Sequence, residues 1–187
     1  KAVLMLEPTL SGTLSLILYF RYDSKDYLSH SKAQNEVLLN VNGGYSFSCF
    51  ARDTEWESEV KQRLIQIGLQ NRQGAEFSPI SMQTEHDTVE WLNRNADLLF
   101  ENNIIVEQRV QGARYYIEHF NLDLKAKFSN DWFDVFGMVT LCDYQFPFIL
   151  LRKNILKDIR EYILPNGEIF VIPEEWFARY KPLLAIA

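Results

Sequence analysis

The chain predicts an α+β fold, with mainly antiparallel sheets and helices packed on one face of each, arranged as two related β-β-β-α lobes. Three observations predict it. Leu14, Leu16, Leu18 and Phe20 alternate with Ser15, Ile17, Tyr19 and Arg21, the period of a strand with two unlike faces. Asn42-Gly43-Gly44 stands between two apolar runs and signals a hairpin turn. Strand-like segments run into a helix twice, once near Phe50 and Asp53 and again near Leu141 and Pro147. Residues 1–187 read as a single domain; two lobes within it, 1–80 and 81–187, are the secondary reading and share this order rather than a sequence repeat.

The elements follow in order. Residues 3–6 and 13–22 read as paired strands joined near Pro8 to Gly12. Residues 23–36 are polar and turn-rich and read as a loop. Residues 37–41 and 45–50 form the Gly43-Gly44 hairpin. Asp53 or Thr54 caps a helix, with Thr54-Glu55-Trp56-Glu57 at capping-box spacing. Trp56, Val60, Leu64 and Ile67 make its apolar stripe, and Gly68 stops it. Little beyond a short strand near Phe77 precedes Pro79.

Thr84 opens a second helix with Val89, Leu92, Ala96 and Leu99 as its stripe, ending at Asn102-Asn103. Residues 104–110, 114–120 and 122–128 read as one continuing sheet, and 132–142 as a further strand. A helix is expected over 147–163, with Pro147 in its first turn. Phe148, Leu151, Ile155, Ile159 and Tyr162 carry its core face. Pro165-Asn166-Gly167 then turns the chain into a strand over 168–172. Pro173 starts a final helix, which Pro182 should break.

Bulk properties narrow the class. At 47% apolar and 24% charged residues the chain is ordinary globular material, which argues against wholesale disorder. A net charge of −6 argues against a protein coated in positive charge for nucleic acid, though not against a local basic face. The longest apolar run, 14–20, is too short for a bilayer span. Cys49 and Cys142 are far apart and read as two buried free thiols, with a disulfide left open; a reducing cytoplasm is the default compartment. No Cys-x-x-Cys pair exists to build a zinc ribbon. The chain opens on Lys1 and stops at Ala187 without a tail, and so reads as a piece of a longer polypeptide.

Catalytic signatures are sparse. No glycine-rich loop precedes a Lys-Ser or Lys-Thr pair, so the chain is not expected to bind or hydrolyse ATP by itself. His30, His86 and His119 lack a second histidine at ligand spacing. His86-Asp87 would suit a metal-dependent hydrolase, but a solvated first helical turn is the preferred reading. Glu174-Glu175 read as complements of a helix N-terminus rather than an acid–base pair. Asp131 and Asp134 could bind a metal, and equally fit a turn and a strand face.

One basic face stands out. Arg152, Lys153, Lys157 and Arg160 lie on the expected helix 147–163, the last three at helical spacing opposite its apolar stripe. Arg109, Arg114, Lys125 and Lys127 sit on the preceding strands. Such a cluster could neutralise DNA phosphates. The competing reading is a solvated helix face diluted by Asp158 and Glu161.

Several stretches, taken in order, resemble one family. They are Asp87 to Phe100, Arg114 to Phe128, Asp131-Trp132-Phe133-Asp134, Phe146-Pro147-Phe148 to Tyr162, and Asn166-Gly167 through Ile172-Pro173 and Trp176 to Tyr180. The first half agrees more loosely, at Arg52-Asp53 with Glu55 and the following helix to Gly68. The order resembles the bacterial SNF2 helicase-associated domain, which lies ahead of the ATPase core. The resemblance implies a non-catalytic accessory domain of a cytoplasmic, nucleoid-associated ATP-dependent DNA translocase. ATP and Mg are expected only in the motor core, and no cofactor or metal in this segment. The implied partners are that core, double-stranded DNA, and RNA polymerase or another transcription protein. Trp132, Gly167, Pro173 and Trp176 carry the motif in structural roles. The alternative is a protein-interaction module that never touches nucleic acid.

Overall fold

The computed structural model describes residues 1–9, 12–32, 35–40, 46–129 and 132–186; for 35–40, 46–50, 125–129, 132–136 and 186 it describes the backbone alone. The fold is α+β, with mixed and antiparallel sheets. It divides into two compact units, residues 1–82 with 99–109, and residues 83–98 with 110–187.

The first unit is organised by one sheet. β1 (Ala2–Pro8) pairs antiparallel with β2 (Leu14–Tyr22). The other edge of β1 pairs parallel with β8 (Ile104–Gln108). β1 is thus a central strand, and the unbroken burial of residues 2–6 shows that both its faces are packed. The parallel pairing returns residues 99–109 to the first unit. It corrects the expectation that 104–110 continues into later strands. Neighbours in sequence are the default partners of a strand, and here a long-range pairing prevails.

Two further strands, over 25–28 and 69–73, occupy stretches read as irregular, while the strand over 76–79 is the short one expected near Phe77. β3 (Lys25–Leu28) pairs with the end of β2, inside the expected loop 23–36. β6 (Leu69–Gln73) and β7 (Glu76–Pro79) form a hairpin about Gly74, whose φ of +60° suits a residue without Cβ. β4 (Asn35–Asn40) and β5 (Ser46–Ala51) pair as the hairpin reading required, while Asn42-Gly43-Gly44 lies outside the described residues.

α1 (Thr54–Gln66) starts as expected, with Trp56 N donating to Asp53 Oδ1 at 3.0 Å. The capping box does not form. Glu57 turns inward and is buried, while Val60 and Leu64 bury the apolar stripe. The Trp56 ring meets Phe20 of β2 edge-on at 5.3 Å.

The second unit has a separate core. α2 (His86–Arg94) buries Val89 and Leu92 and ends at Asn95, whose backbone N and side-chain Nδ2 both donate to the Trp91 carbonyl. α3 (Ala96–Glu101) follows, so the single helix expected from Thr84 is two. β9 (Phe120–Ser129) and β10 (Trp132–Leu141) run antiparallel over their full length, and β11 (Gln145–Pro147) pairs with the end of β10. Residues 114–119 are not a strand, apart from a parallel bridge between Tyr115 and Ile169.

The helix expected over 147–163 is the largest correction. A 3₁₀ turn (Phe148–Leu151) leads into the short α4 (Arg152–Leu156). Lys157 caps it, and Asp158 takes a left-handed φ of +56° that ends the helix. The chain then extends into β12 (Glu161–Ile163), which pairs with β13 (Ile169–Val171). α5 (Glu174–Ile186) continues through Pro182 instead of breaking there. One of its last carbonyls, at Leu184, accepts from Arg152 Nε at 2.9 Å.

Aromatic rings fill this core. Trp176 has Phe148, Phe120, Phe170 and Tyr180 at centroid distances from 5.7 to 6.4 Å. Gly137 is required by space: a Cβ there would run into Leu124 Cδ2 and come within 3.0 Å of Phe148 Cβ.

Candidate functional site

Arg160 was expected on an exposed basic helix, and its actual position defines the strongest polar cluster of the second unit. It lies one residue ahead of β12 and extends that pairing, its carbonyl accepting from Ile172 N at 2.8 Å. The extended backbone points the side chain inward, and the residue is 8% exposed. Its guanidinium joins α2 and the lead-in to it with the residue that follows β13. Nε donates to the Ile172 carbonyl at 3.2 Å, and NH1 to Thr84 Oγ1 at 3.2 Å and Asp87 Oδ1 at 2.8 Å. NH2 donates to Glu90 Oε2. The same Glu90 oxygen accepts from Glu174 N, at the start of α5, at 3.1 Å. The planar fork of an arginine suits this task, because it offers five donors in fixed directions.

Asp87 joins this cluster to the start of α2. Its Oδ2 accepts from the backbone N–H of Gln83 and of Thr84, each at 2.8 Å. Burial pushes its carboxyl upward. Hydrogen bonds from Arg160 and from those two backbone groups outweigh burial and hold it down to about 2. A carboxylate so firmly ionised is a poor proton carrier near neutral pH. His86 lies 3.0 Å from Glu161 Oε1, an ion pair when the ring is protonated. The His86-Asp87 pair therefore ties α2 to β12 and its lead-in.

The other predicted residues scatter. Lys153 and Lys157 are exposed on α4 and its cap, one turn apart, and no carboxylate pairs with either among the described residues. Arg152 is half-buried against α5. Arg109 belongs to the first unit and pairs with Glu7 at 3.2 Å. Arg114 is exposed. The side chains of Lys125, Lys127, Trp132 and Asp134, and all of Asp131, lie outside the described residues. Cys142, expected buried, is exposed and free, and its thiol is held up first by a hydrogen bond with Glu118. The Cys49 side chain lies outside the described residues.

The structural motif residues have clear roles. Gly167 takes a φ of +88° in the turn between β12 and β13, and its N–H donates to the Leu164 carbonyl at 2.8 Å. Pro173 precedes α5, and its carbonyl accepts from Trp176 N at 3.0 Å. Trp176 is 5% exposed in the aromatic core.

The first unit holds an open cleft of about 420 Å³, of mixed polar and apolar lining, that sequence reasoning missed. Its wall is shared by the residues that follow β3, 29–32, by Arg52, and by the first two turns of α1. Arg52 and Glu57 meet there in a forked pair, Nε to Oε1 at 2.8 Å and NH2 to Oε2 at 2.7 Å. Tyr22 OH donates to Glu57 Oε1 at 2.8 Å; burial first, and then this carboxylate, push the phenol up to about 12. The available signal was the spacing of Thr54, Ser58 and Lys61, which recur on one face of α1.

Fold and sites together define a chain of two α+β units whose most heavily paired side chains hold elements together. No protein-family model, curated protein or solved structure matches it.

Proposed function

We propose that the chain is a non-catalytic accessory domain of an SNF2-type ATP-dependent DNA translocase, contacting duplex DNA through its second unit. The observation that carries this reading is the employment of the acid–base candidates. His86, Asp87, Glu90 and Glu57 are each engaged in pairs that join elements.

The resemblance supplies the rest of the reading. Its motif residues Gly167, Pro173 and Trp176 serve a turn, a helix start and a core. These are the roles expected of a domain that is not itself the motor. In this reading ATP and Mg belong to the motor core, and RNA polymerase or another transcription protein is a further partner. With Arg160 buried, DNA contact falls to Lys153 and Lys157.

Fluorescence-anisotropy titration of the chain with labelled duplex DNA, at low and near-physiological salt, tests this reading. Two neutralised phosphates give a slope of log K against log salt of about −1.8. Salt-sensitive binding of that order supports the DNA reading. No binding at either salt overturns it and leaves a module that binds protein alone.

A further inference from the structure

The cavity of the first unit is unexplained by any role in DNA contact. Among the described residues Lys32, Arg52 and Lys61 line it against a single carboxylate, Glu57. That carboxylate is already taken: both oxygens accept from Arg52, and one also from Tyr22. Lys32 and Lys61 therefore remain as surplus positive charge in a chain whose net charge is −6.

Lys61 is held in place by donating to the Ser29 carbonyl at 2.6 Å, with the Phe20 ring 5.8 Å from its ammonium. An ammonium carries three protons, so one fixed bond leaves donors for a guest. Thr54 and Ser58 add hydroxyls from the N-terminal turns of α1, where the helix dipole is positive.

The second, independent observation is Ser29. It lines the cavity and is 3% exposed, and its Oγ has no hydrogen-bond partner. Buried hydroxyls are ordinarily paired. The hydroxyl lies closed to solvent beside the cleft, and a turn about χ1 would make it a donor for a guest.

We propose that this cavity binds a phosphoryl group. Lys61 and Lys32 would supply charge, and Ser29, Thr54 and Ser58 hydroxyl donors. The volume is enough for a small phosphorylated molecule. This proposal does not rest on the DNA reading, which uses lysines of the other unit.

Isothermal titration with inorganic phosphate and with glycerol phosphate, against chloride at matched ionic strength, tests it. The expected result is saturable binding of both phosphates, weakened at least about tenfold by Lys61→Met. Because Lys61 also holds the Ser29 carbonyl, Ser58→Asp provides a second variant: it adds negative charge at an exposed position and should abolish phosphate binding with the thermal midpoint kept. Displacement of phosphate by duplex DNA would name the nucleic-acid backbone as the source of the phosphoryl group. Displacement by glycerol phosphate alone would name a small molecule. Absence of binding at millimolar phosphate, or binding unchanged in both variants, overturns the proposal.

Discussion

Arg160 NH1 and Asp87 Oδ1 meet at 2.8 Å across 73 residues of sequence, with the arginine only 8% exposed. The contact closes the second unit, because the same guanidinium also takes Glu90 and the Ile172 carbonyl. Removing one member of a buried charge cluster leaves the others desolvated and unpaired. Arg160→Ala should therefore destabilise the chain by about 3–5 kcal/mol. Chemical denaturation of the two proteins measures it. A loss under about 1 kcal/mol would place this cluster with surface pairs instead.

The ionised state of Asp87 makes part of that stability depend on pH. Its carboxyl is lowered from 3.8 to about 2. A depressed carboxyl contributes stability above its unfolded value and loses it as pH falls through its folded value. The contribution, about 2 kcal/mol, should be complete above pH ~5 and fade towards pH ~2. Asp87→Asn should be less stable than the parent at neutral pH, with the gap narrowing through that window. Denaturation midpoints across the acid range show whether it does.

Gly167 should resist substitution through its backbone alone. A Cβ there meets nothing within 4 Å, yet φ is +88°. Gly167→Ala should cost about 1–2 kcal/mol from the left-handed conformation alone. Gly167→Asn should cost less, since asparagine tolerates that region better. Equal losses in the two variants would point to crowding rather than to φ.

Asn93 offers a change in the opposite direction. It is 3% exposed on α2, and neither Oδ1 nor Nδ2 has a partner. Replacing an unsatisfied buried amide by an apolar side chain of similar size relieves its desolvation. Asn93→Leu should raise stability by about 1–2 kcal/mol. A drop in thermal midpoint would mean that the amide is satisfied by solvent.

Local signals carried the sequence reading where the structure is local. The alternation of 14–20 gave β2, Asp53 gave the cap of α1, and Asn166-Gly167 gave the turn into β13. Long-range pairing carried no such mark. β8 reads like any apolar run, and nothing near it says that its partner is β1. The segment 147–163 failed for a different reason. Phe148, Leu151 and Ile155 do have helical spacing and are buried, but Asp158 turns left-handed and the chain extends. A basic residue placed by extrapolating that helix thus came out on the surface in the reading and buried in the fold. The cavity lining was hidden because Ser29 and Lys32 come from a segment that meets α1 only after folding.

The most direct test separates the two kinds of cation between Phe148 and Ile163. DNA affinity and thermal midpoint should be measured for the parent, for Lys153→Glu with Lys157→Glu, and for Arg160→Met. The double charge reversal should abolish salt-sensitive DNA binding with the midpoint unchanged, and Arg160→Met should lower the midpoint by several degrees. Duplex binding that survives the double reversal would contradict the assignment of DNA contact to these lysines. An unchanged midpoint in Arg160→Met would contradict the structural role of the arginine.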